Sequence, residues 1–187
     1  MIVPINEGAL FRLGEVKIEG STLFSPAQIL EMLTLKTGDI VDADSLSVWF
    51  FERVAKAYGN FGYIQYTAEP ELKFHLKEGG REGVVDLTVT IDEGHVFTIR
   101  SIKFEGNGSV PEHTLFREML VRNGEVFNKE LFVESLKRIS QSGQFEPIDA
   151  EKDVDYKWDQ KSPRLDLTIH LKKKAAESEE TRNCARL

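Results

Sequence analysis

The sequence predicts an α+β protein that contains one small unit twice. Each copy has the order β-α-α-β-β and is expected to fold as a three-stranded mixed sheet covered by two helices. Residues 11–20, FRLGEVKIEG, match residues 97–106, FTIRSIKFEG, at a shift of 86 positions. Residues 85–91, VDLTVTI, match residues 165–171, LDLTIHL, at a shift of 80. Because self-similarity at such a period marks a repeated supersecondary unit, we expect tandem domains.

The repeats also set the domain boundaries. Residues 5–8, INEG, match residues 91–94, IDEG, at the same shift of 86. We therefore expect the chain to be a fragment of a longer array that begins with the last strand of a preceding unit. The predicted segments are a strand remnant at 1–8, a first unit at 9–94, a second unit at 95–173 and a polar tail at 174–187.

The first strand of each unit changes the parity of its apolar positions. In the first unit these positions are 11 and 13, followed by 16 and 18. A slip of one residue turns side chains to the opposite face of a sheet. We therefore expect Phe11 and Leu13 to stay outside the core that Val16 and Ile18 enter, and to pack at the junction with a preceding unit.

The first helix of each unit has clear boundary signals. Ser25 and Gln28 have the spacing of a capping box, and Pro26 occupies the first helical position. Gly38 and Gly124 are predicted to stop this helix in the first and second units. The sequence therefore predicts a short helix directly after the first strand.

A second helix is predicted after Asp42 or Asp44 in the first unit and after Asn128 in the second, since these residue types favour the N-cap position. Apolar side chains follow at helical spacing and give each helix one apolar face. These side chains are Leu46, Phe50 and Val54 in the first unit and Phe132, Leu136 and Ile139 in the second.

Two strands joined by a turn are predicted to close each unit. They cover residues 62–76 and 84–92 in the first unit, and residues 145–158 and 164–172 in the second. The closing strands alternate apolar and polar residues. This pattern is typical of a sheet with one face on helices and the other in solvent.

With these elements the chain resembles tandem POTRA domains, the periplasmic modules that precede the β-barrel in outer-membrane assembly and translocation proteins of the BamA-like, or Omp85, family. The shared features are the element order, the IEG end of the first strand, the short helix ending in KTGD, Gly62-Tyr63 at the hairpin entry and the closing VDLTVTIDEG. The second unit departs from this pattern at Phe145, and at Lys172, where its closing strand lacks Glu-Gly. We expect the second unit to lie nearest the C-terminal β-barrel of a parent protein.

The resemblance implies a noncatalytic module on the periplasmic face of the bacterial outer membrane. Family members bind unfolded outer-membrane polypeptides and accessory lipoproteins. An open sheet edge can accept an extended peptide as a further strand by β-augmentation, and in the family the first hairpin strand usually lies at a free edge. The candidate peptide-binding residues are Tyr63, Ile64, Gln65, Tyr66, Thr67, Ala68, Val154 and Tyr156.

Two alternatives stay open for these strands. Pro70, Asp153 and Asp155 are also typical of edges that are protected against aggregation. The same domains could instead form the POTRA arm of a two-partner secretion transporter, or act as a purely structural spacer.

Hinge motion is expected between the units about residues 95–97, because few residues cross between them and interdomain contacts of this kind are usually small. The predicted hinge residues are Phe11, Leu13, His95, Val96, Phe97 and Ile99.

Charge argues against nucleic acid as a partner. Of the net charge of −7, residues 1–94 contribute 8 basic and 15 acidic side chains, and residues 95–187 contribute 16 of each. An acidic surface repels phosphate backbones. A KH domain begins with the same element order, but its G-x-x-G loop clamps the RNA backbone, whereas this chain has Asp39 and Glu125 in the corresponding turns.

Signals for an enzyme are weak. The four histidines lack metal-ligand spacing, and the single cysteine, Cys184, excludes an internal disulfide. The apolar runs are far shorter than the roughly 18 residues that a membrane-spanning helix needs. We therefore expect no catalytic residues, no cofactor, no metal and no small-molecule substrate.

Overall fold

A computed structural model describes residues 9–33, 36–41, 49–159 and 162–174 of the chain. The chain divides into two compact units, Met1–Val96 and Phe97–Leu187. The predicted strand remnant at 1–8, the predicted start of the second helix at 42–48 and the tail from residue 175 lie outside the described residues. No helix in the described ranges is long and apolar enough to cross a membrane.

Both units contain the predicted elements in the predicted order. The first unit comprises β1 (Leu10–Glu19), α1 (Pro26–Leu33), a π-helical turn (Trp49–Val54) that continues as α2 (Ala55–Gly59), β2 (Thr67–Leu76) and β3 (Glu82–Asp92). The second unit comprises β4 (Thr98–Glu105), α3 (Glu112–Glu118), α4 (Lys129–Gln141), β5 (Val154–Asp159) and β6 (Ser162–His170).

Each sheet has three strands, in the order β1-β3-β2 or β4-β6-β5. The closing strand of each unit lies at the centre, parallel to the first strand and antiparallel to the other hairpin strand. The predicted α+β fold class with two mixed sheets is therefore confirmed. This order leaves β2 and β5 with only one neighbouring strand each among the described residues.

The predicted helix starts agree with the structure, but α3 ends at Glu118 rather than at Gly124, which lies in a later turn that bonds to Ile99, so that predicted stop was wrong. The amide of Ser25 donates to the side chain of Gln28 over 2.8 Å, and the amide of Gln28 donates to the Ser25 hydroxyl over 3.3 Å. The side chain of Asn128 accepts a hydrogen bond from the amide of Leu131 at 2.9 Å. The predicted capping box and the predicted N-cap are both confirmed.

The core of each unit lies between the helices and the inner face of its sheet. Alternate side chains of β3 and β6 are buried there, as the alternating pattern predicts. Burial of each large apolar side chain contributes about 1.5–3 kcal/mol relative to exposure. The fully buried side chains include Leu87, Val89, Ile29, Phe50, Val54 and Tyr58 in the first unit, and Leu165, Leu167, Ile169, Phe132, Leu136 and Ile139 in the second.

The parity change in the first strand is a β-bulge. The register steps from the pair Leu13 and Val85 to the pair Val16 and Leu87, so two residues of β1 oppose Asp86. Leu13 and Val16 therefore face the same side of the sheet, and Leu13 is only 3% exposed within the core. The prediction that Leu13 stays outside this core was wrong, because the extra residue absorbs the slip.

The other residues that precede the bulges also belong to their own units. Phe11 packs edge-on against Phe74 of β2, with ring centroids 4.8 Å apart. In the second unit, Phe97 and Ile99 are 2% and 1% exposed. Both are therefore core residues of the second unit, as Leu13 is in the first.

An aspartate of the central strand occupies each bulge. In the first unit, Asp86 accepts a hydrogen bond from the amide of Glu15 at 2.7 Å. In the second unit, Asp166 accepts hydrogen bonds from Arg100 Nε at 2.9 Å and from the Ser101 hydroxyl at 2.6 Å. The hydrogen bond from Arg100, followed by that from Ser101, lowers the pKa of Asp166 to about 2.

Replacing Asp166 by asparagine is expected to lower the free energy of unfolding of the second unit by about 1 kcal/mol at neutral pH. Because the folded pKa lies below the ordinary value of 3.8, the carboxylate stabilises the fold above about pH 4. This contribution disappears as the pH falls through about 2. Urea unfolding followed by Trp158 fluorescence in a Trp49→Phe background measures the effect.

The control for this measurement is Glu151→Gln, which neutralises an exposed loop carboxylate. It should leave the acid dependence of stability unchanged. An acid dependence of Asp166→Asn identical to that of the parent would show that this carboxylate does not stabilise the bulge.

Candidate peptide-binding edges

The first open edge is β2, and it begins later than predicted. The predicted strand started at Gly62, but β2 starts at Thr67. The amide of Tyr63 bonds back to the carbonyl of Tyr58, and the ring of Tyr66 stacks on Tyr58 at 4.5 Å. The residues placed outside the strand are Tyr63, Ile64, Gln65 and Tyr66. Of the predicted edge residues in this unit, Thr67 and Ala68 lie in the strand.

Hydrogen bonding at the hairpin turn shows which backbone groups of β2 face outward. The amide of Lys77 donates to the carbonyl of Glu82 at 2.9 Å, which makes these residues a hydrogen-bonded pair. Such pairs alternate with pairs whose backbone groups point away from the partner strand. The N–H and C=O groups of Leu72, Phe74 and Leu76 therefore face the free edge.

Pro70 occupies one of these outward positions, opposite Val89. Proline has no N–H to donate, so it removes one donor from the free edge without breaking the ladder. An added strand could form an uninterrupted series of backbone hydrogen bonds only on the C-terminal side of Pro70. Pro70 therefore limits the usable edge to the second half of β2.

The second open edge is β5, and it repeats this arrangement. The amide of His170 donates to the carbonyl of Asp153 at 2.8 Å, next to the pair Val154 and Ile169. By the same alternation, the backbone groups of Val154, Tyr156 and Trp158 face the free edge. The predicted residues Val154 and Tyr156 thus lie in the strand with their backbone groups outward.

The opposite edge of each sheet is partly covered by its own unit. The backbone of Leu13 in β1 exchanges hydrogen bonds with Gly38 and Asp39, both at 2.8 Å. In the second unit, Ile99 of β4 bonds to Gly124 at 2.7 Å and to Glu125 at 2.8 Å. The turns KTGD and RNGE thus cover the start of β1 and β4, so β2 and β5 offer the more accessible edges.

Family comparison agrees with this architecture. The family model for POTRA, described as a surface antigen variable number repeat, matches residues 11–94 and again residues 97–174. The chain belongs to the POTRA family. The match covers most of the chain, and the prediction of tandem POTRA domains of the BamA-like family is confirmed.

Curated relatives of this POTRA pair are much longer proteins. A putative outer membrane protein assembly factor of Treponema pallidum is 28% identical over 135 residues, which is 72% of this chain and 16% of that protein. The outer membrane protein assembly factor BamA of Nitratidesulfovibrio vulgaris is 22% identical over 177 residues, which is 90% of this chain and 21% of that protein. The chain thus spans about a fifth or less of these relatives.

Solved POTRA structures share the fold. POTRA domains 3–5 of Haemophilus influenzae BamA superpose with a TM-score of 0.68 at 21% identity, over 87% of this chain and 61% of that one. BamA of Haemophilus ducreyi lacking POTRA domains 1–3 gives a TM-score of 0.67 at 21% identity, over 87% of this chain and 29% of that one.

Each POTRA domain ends its open edge with exposed apolar side chains that were not predicted as site residues. Phe74 and Leu76 are 57% and 62% exposed, and Trp158 is 46% exposed. Trp158 contacts Phe97 edge-on at 6.3 Å, as Phe74 contacts Phe11 in the first domain. The alternation of β2 could have identified Phe74, but its exposure depends on where the helices stop covering the sheet.

The predicted hinge residues divide between the two POTRA domains and the segment that joins them. Leu13 is in the core of the first domain, and Phe97 and Ile99 are in the core of the second. His95 and Val96 are exposed and belong to neither a helix nor a strand. Motion about residues 95–97 stays a prediction.

Proposed function

We propose that this chain is a polypeptide-binding module of an outer-membrane protein assembly factor of the BamA type. It would work on the periplasmic face of the outer membrane, joined to a C-terminal β-barrel in the parent protein. The open edges of β2 and β5 would receive extended segments of unfolded outer-membrane proteins, or dock accessory lipoproteins, by β-augmentation. The names of the relatives support the assembly role, and their greater length is consistent with a parent that carries further domains.

The outward backbone groups of β2 and β5 are the observation that carries this proposal. Backbone hydrogen bonds give affinity that does not depend strongly on sequence, which suits a receptor for many clients. Each such bond contributes only about 0.5–1.5 kcal/mol net. A short added strand would therefore bind weakly and reversibly, as a module that passes its client onward requires.

Exposed aromatic side chains give each edge a second source of affinity. Phe74 and Trp158 lie at outward backbone positions, and their side chains are about half exposed. Aromatic side chains form favourable cross-strand pairs. A client strand with alternating apolar residues could pair with the edge backbone and pack an apolar side chain against these rings.

Phe74→Pro is expected to weaken strand addition at β2 by about tenfold. Proline at this outward position removes an edge donor but no ladder hydrogen bond. The probe is a labelled synthetic peptide of about ten residues with the alternating pattern of a barrel strand. Binding is followed by the NMR amide signals of Leu72, Phe74 and Leu76, which should shift and become protected from exchange in the parent protein.

Two matched variants separate backbone from side-chain effects. Phe74→Ala keeps the amide and should lose only the aromatic contact, so its binding should fall less than that of Phe74→Pro. Lys73→Pro lies at an inward position and should destabilise the sheet. If the peptide leaves the edge amide signals of the parent protein unchanged, the domains act as a spacer and the proposal fails.

A further inference from the structure

A cleft with a volume of about 720 Å³ lies beside α3 in the second domain, and its lining contains no residue of β5. We call it the α3 cleft. Met119 and Val121, which are 6% and 2% exposed, form its apolar floor. Phe116 forms one wall, and its ring packs edge-on against Phe104 at 5.1 Å. The ring is 39% exposed, so a ligand side chain can contact an aromatic surface that is already held in place.

Three cationic or potentially cationic side chains also line this cleft. They are His113, Arg117 and Arg122. Within the part of the chain that the structure describes, none of the three forms an ion pair. Glu125 bonds to the backbone amide of Arg122 at 2.9 Å rather than to its guanidinium. Toward the residues that the structure describes, the two guanidinium groups therefore have free donors, and guanidinium groups bind carboxylates well.

The first domain provides an internal comparison, because it has the same fold with different side chains. At the shift of 86, Arg117 corresponds to Glu31 and His113 corresponds to Ala27. Only the position of Arg122 keeps its charge, as Lys36. Since the fold forms with an acidic or a neutral residue at two of these positions, the cationic lining is not required for folding.

We propose that the α3 cleft is a docking site for an acidic peptide segment that carries one large apolar side chain. The apolar side chain would bind between Phe116 and the floor, and flanking carboxylates would bind Arg117 and Arg122. The charge of the lining complements an acidic ligand, and the apolar floor favours a peptide over a fully hydrated anion. This site would recognise the side chains of a bound peptide, whereas the sheet edges would recognise its backbone.

The test measures binding of the full chain to a fluorescein-labelled peptide of about eight residues, in which one phenylalanine is flanked by glutamates. Fluorescence anisotropy is recorded at about 0.05 M and about 0.5 M salt. We expect saturable binding that weakens at the higher salt concentration. We expect Arg117→Glu with Arg122→Glu to weaken it by about tenfold or more, and Phe116→Ala to weaken it as well.

The matched control reverses two charges elsewhere in the same domain, with Lys103→Glu and Lys129→Glu. Both lysines are exposed and lie on β4 and at the start of α4, outside the lining of the α3 cleft and outside β5. This control should change the affinity by less than about twofold. The double variant Arg117→Gln with Arg122→Gln should also weaken binding. It replaces the double glutamate variant in the test if that variant fails to fold.

Four results would overturn the proposal. One is equal binding by the parent and both arginine double variants, and another is an equal loss in the lysine control. A third is stronger binding of phosphatidylglycerol vesicles than of the peptide, which would assign the cleft to lipid. The last is salt-sensitive self-association of the chain that the arginine variants abolish, which would assign the cleft to the acidic first domain of a second copy.

Discussion

Gly106→Ala is expected to lower the free energy of unfolding of the second domain by about 3 kcal/mol. Gly106 has a φ of +79°, where a side chain is strained, and an added Cβ would lie 2.2 Å from the carbonyl oxygen of Leu171. This collision is with backbone, so no change of rotamer relieves it. The end of β4 would have to move away from the central strand and lose the 2.7 Å hydrogen bond from Leu171 to Glu105.

A second glycine of the same domain separates the effect of the steric collision from the effect of the positive φ. Gly124 has a φ of +88°, but an added Cβ there would meet nothing within 4 Å. Gly124→Ala should therefore cost only about 1 kcal/mol. Urea unfolding followed by Trp158 fluorescence, with Trp49 replaced by phenylalanine, compares the two variants. Equal losses would mean that the contact with Leu171 contributes nothing.

The repeat extends this prediction to the first domain. Gly20 has a φ of +81°, and an added Cβ would lie 2.2 Å from the carbonyl oxygen of Ile91. Both glycines end the motif by which the repeat was recognised. Sequence comparison could thus locate the motif, and the close approach of the central strand explains why glycine is needed there.

Local signals predicted much of this fold because they act over a few residues. Ser25 with Gln28, and Asn128, satisfy backbone amides within one helical turn, so their spacing alone identifies the helix starts. The alternation of β3 and β6 likewise follows from one buried and one exposed sheet face. The internal repeat then provided a second, independent copy of each signal.

The errors arose where the outcome depends on pairing between distant segments. The parity change at Leu13 has two possible causes, a turn to the other face or a bulge, and only the register against Val85 distinguishes them. Tyr66 lies in an apparently strand-like run, but its ring stacks on Tyr58 of α2. Neither contact is visible in the sequence around the residue itself.

The candidate sites likewise combine features that the sequence predicted with features that depend on contacts between distant segments. Val154 and Tyr156 were predicted as edge residues because the family resemblance implies a free edge at the first hairpin strand, and both lie in β5. The outward direction of their backbone groups could be deduced only from the hydrogen bond between His170 and Asp153 in the structure. The α3 cleft was not predicted, since Phe116 and Arg117 are ordinary residues of an amphipathic helix until the neighbouring segment forms the floor beneath them.

A buried carboxylate holds the end of the central strand in the first domain. Glu93 is 9% exposed. Its side chain accepts hydrogen bonds from the amides of Thr22 and Leu23 at 2.7 and 2.9 Å, from the Thr22 hydroxyl, and from the Tyr58 hydroxyl at 2.9 Å. Burial is the largest single influence on its pKa and opposes ionisation, but the hydrogen bonds together outweigh it and hold the pKa below its ordinary value.

The same network acts on Tyr58. Its hydroxyl also lies 2.7 Å from the Ser21 hydroxyl. Burial, together with the neighbouring Glu93 carboxylate, raises the pKa of Tyr58 to about 12. Tyr58 therefore stays protonated and donates to Glu93 throughout the neutral range. Hydrogen bonds to the Glu93 carboxylate thus connect the loop after β1 and the helix α2 to the end of β3.

Glu93→Ala is expected to lower the free energy of unfolding of the first domain by about 3 kcal/mol, because two backbone amides and the Tyr58 hydroxyl lose their acceptor. Glu93→Gln keeps one acceptor oxygen and should lose less. In the second domain the corresponding residue is Lys173, whose ammonium lies 3.5 Å from the Ser109 hydroxyl and is exposed. Lys173→Ala should therefore cost less than about 0.5 kcal/mol.

The pH dependence identifies the carboxylate as the cause. Since the folded pKa of Glu93 lies below 4.5, the charged form stabilises the first domain above that pH, and the contribution is lost as the pH falls through the lowered pKa. The stability difference between the parent and Glu93→Gln should therefore shrink on acidification. Urea unfolding followed by Trp49 fluorescence in a Trp158→Phe background measures it. A difference that stays constant down to the lowest pH would assign the effect to packing rather than to charge.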